Sequence, residues 1–207
     1  AFALQMYPDL AARTAKAEDP FALAVMLAIA GNVVDLGVKS HLTAEEVSGS
    51  IGEALQAVPD RAGIDDLRGA VGSAGSILYL ADNAGEIVFD RLLIERLPTE
   101  KVTLVVKGAP VINDATREDA EAAGLTELVE VIDNGTDIPG TVLEACSDAF
   151  RERFDAADLI ISKGQGNYET LSDCHREGLF FLLKAKCSMI ARDLGCEVGR
   201  LVIRRGG

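Results

Sequence analysis

From Ser73 onward the chain repeats one local pattern that constrains its fold more than any other feature: a short aliphatic run, a knot of polar and glycine residues, then a stretch with helical spacing. The expected strands are Ile77–Ala81, Val102–Lys107, Leu128–Ile132, Leu159–Ser162 and Val198–Ile203. Between them, Glu86–Arg96, Ala115–Ala123, Thr141–Ala156 and Leu183–Leu194 are expected to be helices. Strands alternating with helices predict an α/β fold, a three-layer α/β/α core around a mostly parallel sheet.

Residues 1–72 carry no such alternation and are expected to form a helical region in front of an α/β core spanning 73–207. Asp19-Pro20 pairs a capping side chain with a proline suited to a first helical turn, and the run Phe21 to Val38 follows. Its first part is apolar all round, so it should lie buried against the rest of the protein. Asn32 and Asp35 interrupt that run three residues apart, on one helical face. If buried they need partners, so they either line a pocket or hydrogen-bond within the core. Thr43 and Glu46 have the spacing of a capping box for a second helix reaching about Val58.

Charge and cysteine usage exclude several functions. With 20 Lys and Arg against 33 Asp and Glu, the formal charge is −13, which repels nucleic-acid backbones and anionic membranes. The four cysteines, Cys146, Cys174, Cys187 and Cys196, show no paired Cys-x-x-Cys spacing. They read as reduced thiols of a cytoplasmic protein. The apolar run Phe21 to Ala30 is too short to span a bilayer. No basic segment leads into an apolar one at the N-terminus, although a first residue of Ala1 leaves upstream processing or truncation open. Oligomeric state is not written in the sequence.

The chemistry gathers just after strands. Asp82-Asn83-Ala84-Gly85-Glu86 follows the first, Lys107 to Pro110 with Asn113-Asp114-Ala115-Thr116 follows the second, and Lys163-Gly164-Gln165-Gly166-Asn167-Tyr168-Glu169 follows the fourth. Ligands of parallel sheets bind beyond the carboxyl ends of strands, so these loops should converge. Asp82, Asn83 and Asp114 form a hard oxygen-donor set suited to Mg²⁺ or Mn²⁺. Singly, the same residues read as a turn and a helix cap. The Lys163 loop offers two glycines and a charge to an anion, or a tight turn, and its third GxGxxG position is Glu169. Lys184 would add positive charge beside the metal, whereas Lys186 reads as a snorkelling surface lysine. Cys174-His175 lacks an orienting third group, and His41 reads as a loop residue.

Taken together, these motifs, with Leu183-Lys184-Ala185 and Gly31-Asn32-Val33-Val34-Asp35, resemble those of the damage-control phosphatases, the domain-of-unknown-function-89 family, in its prokaryotic branch. The resemblance implies a phosphatase acting on phosphorylated metabolites such as sugar phosphates or damaged cofactor precursors, with a divalent cofactor ion: Mn²⁺, Co²⁺, Ni²⁺ or Mg²⁺. By position, Asp82, Asn83 and Asp114 would hold the cation, with Asp82 and Asp114 catalytic. Lys163, Gln165, Gly166, Asn167, Tyr168, Glu169 and Lys184 would contact substrate, and Asn32, Asp35, Glu86 and Asn113 would line the pocket. The branch also carries a further N-terminal helical segment with a Cys-x-x-Cys pair that this sequence does not contain, so its helical region is expected to be incomplete. A haloacid-dehalogenase mechanism would need DxDx[TV] after the first strand, where this chain has no second Asp. An S-adenosylmethionine-dependent carboxyl methyltransferase and a non-catalytic phosphometabolite-binding module stand as alternatives.

Overall fold

Short runs of aliphatic residues build one six-stranded sheet in the computed structural model, which describes residues 2–32 and 44–207. Before the sheet come α1 (Phe2–Lys16), α2 (Pro20–Ala30), α3 (Ala44–Gln56) and α4 (Arg61–Ser73). The alternating part follows as β1 (Ile77–Leu80), α5 (Ile87–Ile94), β2 (Val102–Val106), α6 (Arg117–Ala122), β3 (Glu130–Asp133) and α7 (Asp148–Ala156). It closes with β4 (Leu159–Lys163), α8 (Gly164–Leu171), β5 (Leu179–Lys184), α9 (Ser188–Leu194) and β6 (Leu201–Arg205). Strand order is β3-β2-β1-β4-β5-β6, with β1 to β5 parallel and β6 antiparallel on β5.

That order reverses between β1 and β4, the place where an open parallel sheet leaves a crevice beyond its strand ends. Leu80 pairs with Ser162, so two residues further on Asp82 and Gly164 meet across the same gap. Side chains alternate between the faces. Ile77, Tyr79, Leu104, Ile161, Phe180 and Leu182 share a core with α1, α2, α4 and α5. Leu78, Leu80, Val105, Ile160, Phe181 and Leu183 face Phe150 and Phe154 of α7, Leu171 of α8 and Ile190 of α9. The helices before β1 therefore form one layer of the sandwich. In α2 every residue from Ala24 to Ala30 is buried, and Asp19 caps its start through the Ala22 N–H at 3.0 Å. Its end meets α5 so closely that a Cβ on Gly31 would lie 2.5 Å from the Phe89 ring.

The structure corrects several boundaries. Leu183 and Lys184 end β5 rather than start a helix, because the continuous apolar run Leu179–Leu183 is a buried parallel strand here. The expected loop at Lys163 is α8 from its first glycine. Thr141–Ala156 is not one helix, since a short 3-10 turn precedes α7 and Ser147 caps that helix, accepting from the Phe150 N–H at 3.2 Å. The last strand begins at Leu201 rather than Val198. Asp35, His41 and Thr43 lie outside the described residues. No helix among the described residues is long and apolar enough to cross a membrane.

At the other end of β1 and β4, exposed Asp158 accepts from the Gly75 N–H (2.9 Å), the Ser76 N–H (2.9 Å) and the Ser76 hydroxyl (3.0 Å). These donors, the Ser76 hydroxyl first, hold its carboxyl below the usual value of 3.8. A carboxyl lowered by folding stabilises above its unfolded value and loses that effect as pH falls through its folded value. Asp158→Ala should therefore lower Tm at neutral pH, and the gap to wild type should close as pH drops below 3.8, read by thermal melts across pH.

Candidate metal and phosphate site

The backbone brings the two acid-bearing loops together. Ala84 N–H donates to the Asn113 carbonyl (2.8 Å) and Ala115 N–H to the Asp82 carbonyl (2.7 Å), an antiparallel bridge centred on Asn83 and Asp114. Asp114 is free of capping duty, because α6 is capped by Thr116, whose N–H and hydroxyl both bond to Asp119 (2.9 and 2.8 Å). Beside Asp82 the chain turns sharply at Gly164, with φ +78°. A Cβ there would stand 1.8 Å from Asp82 Oδ2, so only glycine lets the start of α8 press against this carboxylate.

Asp82 Oδ2 accepts from Asn32 Nδ2 (2.6 Å) and Asn83 Nδ2 (2.8 Å). The same two amide groups donate to Glu86 Oε2, at 2.5 and 3.1 Å. Burial, and then the negative charge of Glu86, push the Asp82 carboxyl up to about 7, opposed by the Asn32 donation and the Lys186 charge. Burial also raises Asp114, opposed by Lys107, whose ammonium lies 3.4 Å from its carboxylate. Lys107 Nζ donates as well to the carbonyls of Ile138 (2.9 Å) and Gly140, tying the loop after β3 down behind Asp114.

Beneath these groups lies an ion cluster with no exposed surface. Lys163 Nζ reaches Glu86 Oε1 and Asp90 Oδ1, both at 2.5 Å, and the Ala28 carbonyl at 2.9 Å, with all three side chains fully buried. Tyr79 donates to Asp90 at 2.7 Å. Burial opposes the lysine's charge, but Asp90 and Glu86 outweigh it and hold its pKa above the ordinary value.

Several residues expected to touch substrate are placed otherwise. Lys163, expected at a phosphate, is spent inside this cluster. Asn167 joins strand ends, donating to the carbonyls of Ala81 (3.1 Å) and Lys163 (2.8 Å) and accepting from Thr141 (2.7 Å). Tyr168 faces the far side of the sheet, edge-on to Phe181 at 5.0 Å and bonded to Asp193. Gln165 bonds Glu169 (2.8 Å) and accepts from the Lys186 N–H (3.3 Å), and Gly166 packs against Gly140. Lys184 turns to Ser50 (3.3 Å) and Glu53 (3.6 Å) of α3, lining a cavity of about 150 Å³. It is Lys186, read from sequence as a surface side chain, whose charge acts on Asp82. Asn113 contributes its backbone carbonyl to the bridge, and Glu86 lies directly under Asp82 and Asn83.

The donor set fits a hard divalent cation. Among the described residues no group of three or more carboxylates, thiols or imidazoles forms a ready cage. What the two loops offer is two carboxylates and an amide, the sparse oxygen set of an ion that keeps several waters. Asp82, pushed up to about 7 by burial and like charge, is a carboxylate that a cation would relieve. Among the described residues the buried Asn32 Oδ1 also has no hydrogen-bond partner.

The chain is similar to known proteins in both sequence and fold. Residues 1–202 match the family described as the damage-control phosphatase ARMT1-like domain. A damage-control phosphatase of Pyrococcus horikoshii is 45% identical over 191 residues, covering 89% of this chain and 65% of that protein. One of Archaeoglobus fulgidus is 40% identical over 195 residues, covering 90% and 66%. An uncharacterised protein of Methanocaldococcus jannaschii is 41% identical over 186 residues, covering 86% and 60%. The chain thus spans less than two thirds of the length of these relatives. A crystal structure of a DUF89 family protein from P. horikoshii superposes with a TM-score of 0.83 at 40% identity, covering 99% of this chain and 73% of that one.

Replacing Lys163 by Met would leave Glu86 and Asp90 buried side by side without their counter-charge. Urea denaturation should show a loss of about 3–5 kcal/mol, as for other broken buried pairs, whereas a loss under about 1 kcal/mol would place this pair with surface ones.

Proposed function

The chain belongs to the ARMT1-like damage-control phosphatase family, and on that premise we propose that it is a metal-dependent phosphatase hydrolysing phosphomonoesters of small, damaged metabolites. The observation that carries this reading is the backbone bridge between Asn83 and Asp114, which sets two acids from separate loops side by side at the reversal point of the sheet. Asp82, Asn83 and Asp114 are the residues to hold the ion, which the family generally requires. When bound, a divalent ion at such a site supplies Lewis-acid polarisation of a phosphate oxygen and a more acidic water.

The chain's own groups do the rest. Asp114, raised by burial, would take a proton from the attacking water. Lys186 supplies the positive charge for phosphate oxygens, and the first amides of α8, brought close by Gly164, present the positive end of a helix. Lys107 and the loop it anchors back Asp114 from behind. Buried Lys163 holds the floor and takes no part in substrate contact. Mn²⁺, Co²⁺, Ni²⁺ and Mg²⁺ all suit an oxygen-rich set, with availability deciding among them.

Phosphate release from p-nitrophenyl phosphate and a sugar-phosphate panel should therefore need added Mn²⁺, Co²⁺, Ni²⁺ or Mg²⁺ after chelator treatment. Asp82→Asn and Asp114→Asn should remove that release, and Lys186→Ala should reduce turnover on the order of 10²-fold, as for loss of one transition-state donor. Metal-independent release, carboxyl methylation with S-adenosylmethionine in place of hydrolysis, or ligand binding without turnover would each contradict the proposal.

A further inference from the structure

Glu86 sits where it can decide which way two amides point. Its Oε1 is taken by the Lys163 ammonium at 2.5 Å, so its Oε2 faces Asn32 Nδ2 at 2.5 Å and Asn83 Nδ2 at 3.1 Å. Both amide nitrogens also meet Asp82 Oδ2. An Asn side chain has a donor edge and an acceptor edge, and the hydrogen-bond partners fix which is which. With two carboxylate oxygens on its nitrogen side, Asn83 must present Oδ1 on the opposite side. Both donors also converge on one oxygen of Asp82, which leaves Oδ1 of that carboxylate as the atom for a cation.

We propose that Glu86, locked by Lys163, is a positioning residue that turns the Asn83 amide oxygen and Asp82 Oδ1 toward the metal. This rests on the reading of Asp82, Asn83 and Asp114 as the metal-holding set. Glu86 touches neither the ion nor the substrate and acts through the two amides, as outer-shell partners of metal ligands do. Asp90 is the natural control, because its carboxylate bonds Lys163, which it shares with Glu86, and the Tyr79 hydroxyl, on the side of the cluster away from the two amides.

Calorimetric titration of Mn²⁺ alone into the full chain tests the proposal without any turnover. Glu86→Gln keeps size and shape but brings an NH₂ group toward the two amide nitrogens, which favours a flipped Asn83. Its Mn²⁺ affinity should fall about 10- to 100-fold, the range for lost outer-shell partners of metal ligands. Asp90→Asn should lower Tm yet leave Mn²⁺ affinity unchanged. Unchanged affinity in Glu86→Gln, or an equal loss in Asp90→Asn, would overturn the positioning role while leaving the metal site standing. No Mn²⁺ binding by the wild-type protein would overturn the metal reading and this inference together. Should Glu86→Gln fail to fold, the wild-type side-chain amide protons of Asn32 and Asn83 provide the readout by nuclear magnetic resonance. They should exchange with solvent slowly, and exchange at the rate of a free amide would count against the proposal.

Discussion

A lysine ammonium with no exposed surface, held between two carboxylates at the carboxyl end of β4, is the interaction on which the site is built. A charge of this kind is tolerated in a core only when its geometry is closed by hydrogen bonds, and among the described residues Lys163 has three oxygen partners. Those partners come from α2 and from Glu86 and Asp90 beside and within α5, so the lysine joins the sheet to the helical layer. From there the order passes upward: Lys163 fixes Glu86, Glu86 fixes Asn32 and Asn83, and these fix Asp82. Each step is a hydrogen bond of 3.1 Å or less.

The sheet topology explains why this cluster lies under a crevice instead of inside an inert core. Because the chain leaves β1 toward β2 and later returns to β4 on the other side, the ends of β1 and β4 are not covered by their own connections. Asn167 clamps those ends by bonding the carbonyls of Ala81 and Lys163. Gly164 permits the approach that any side chain would block. Asp114 arrives from the β2 loop through the backbone bridge to Asn83, and its carboxylate pairs with Lys107 instead of capping α6. The helical region ahead of β1 is a structural layer as well, contributing Asn32 to the site and Ala28 to the lysine.

Much of this was legible in residue order, and what was not has physical reasons. β1, β2 and β4 announce themselves as short apolar runs followed by polar knots, and the uniformly apolar α2 announces its burial. β5 does not, because an unbroken apolar run has no period by which to tell strand from buried helix. Lys163 misleads for a related reason: after a strand, a lysine that neutralises buried acids and one that grips phosphate look alike. A clue was present in Asp90, a lone acid among the apolar residues of Ile87–Ile94, which must find a buried partner. Lys184 and Lys186 could not be assigned from order alone, since their directions depend on where β5 ends. The loop after β3, whose Ile138 and Gly140 carbonyls hold Lys107, carries no motif at all.

On the proposed reading, Asp82 and Asp114 share one cation. Anomalous diffraction from crystals soaked in Mn²⁺ measures it directly. One peak bound by both carboxylates together with the Asn83 amide oxygen is the result this arrangement predicts. A peak held by only one of the two acids, or none in the crevice between β1 and β4, would contradict it.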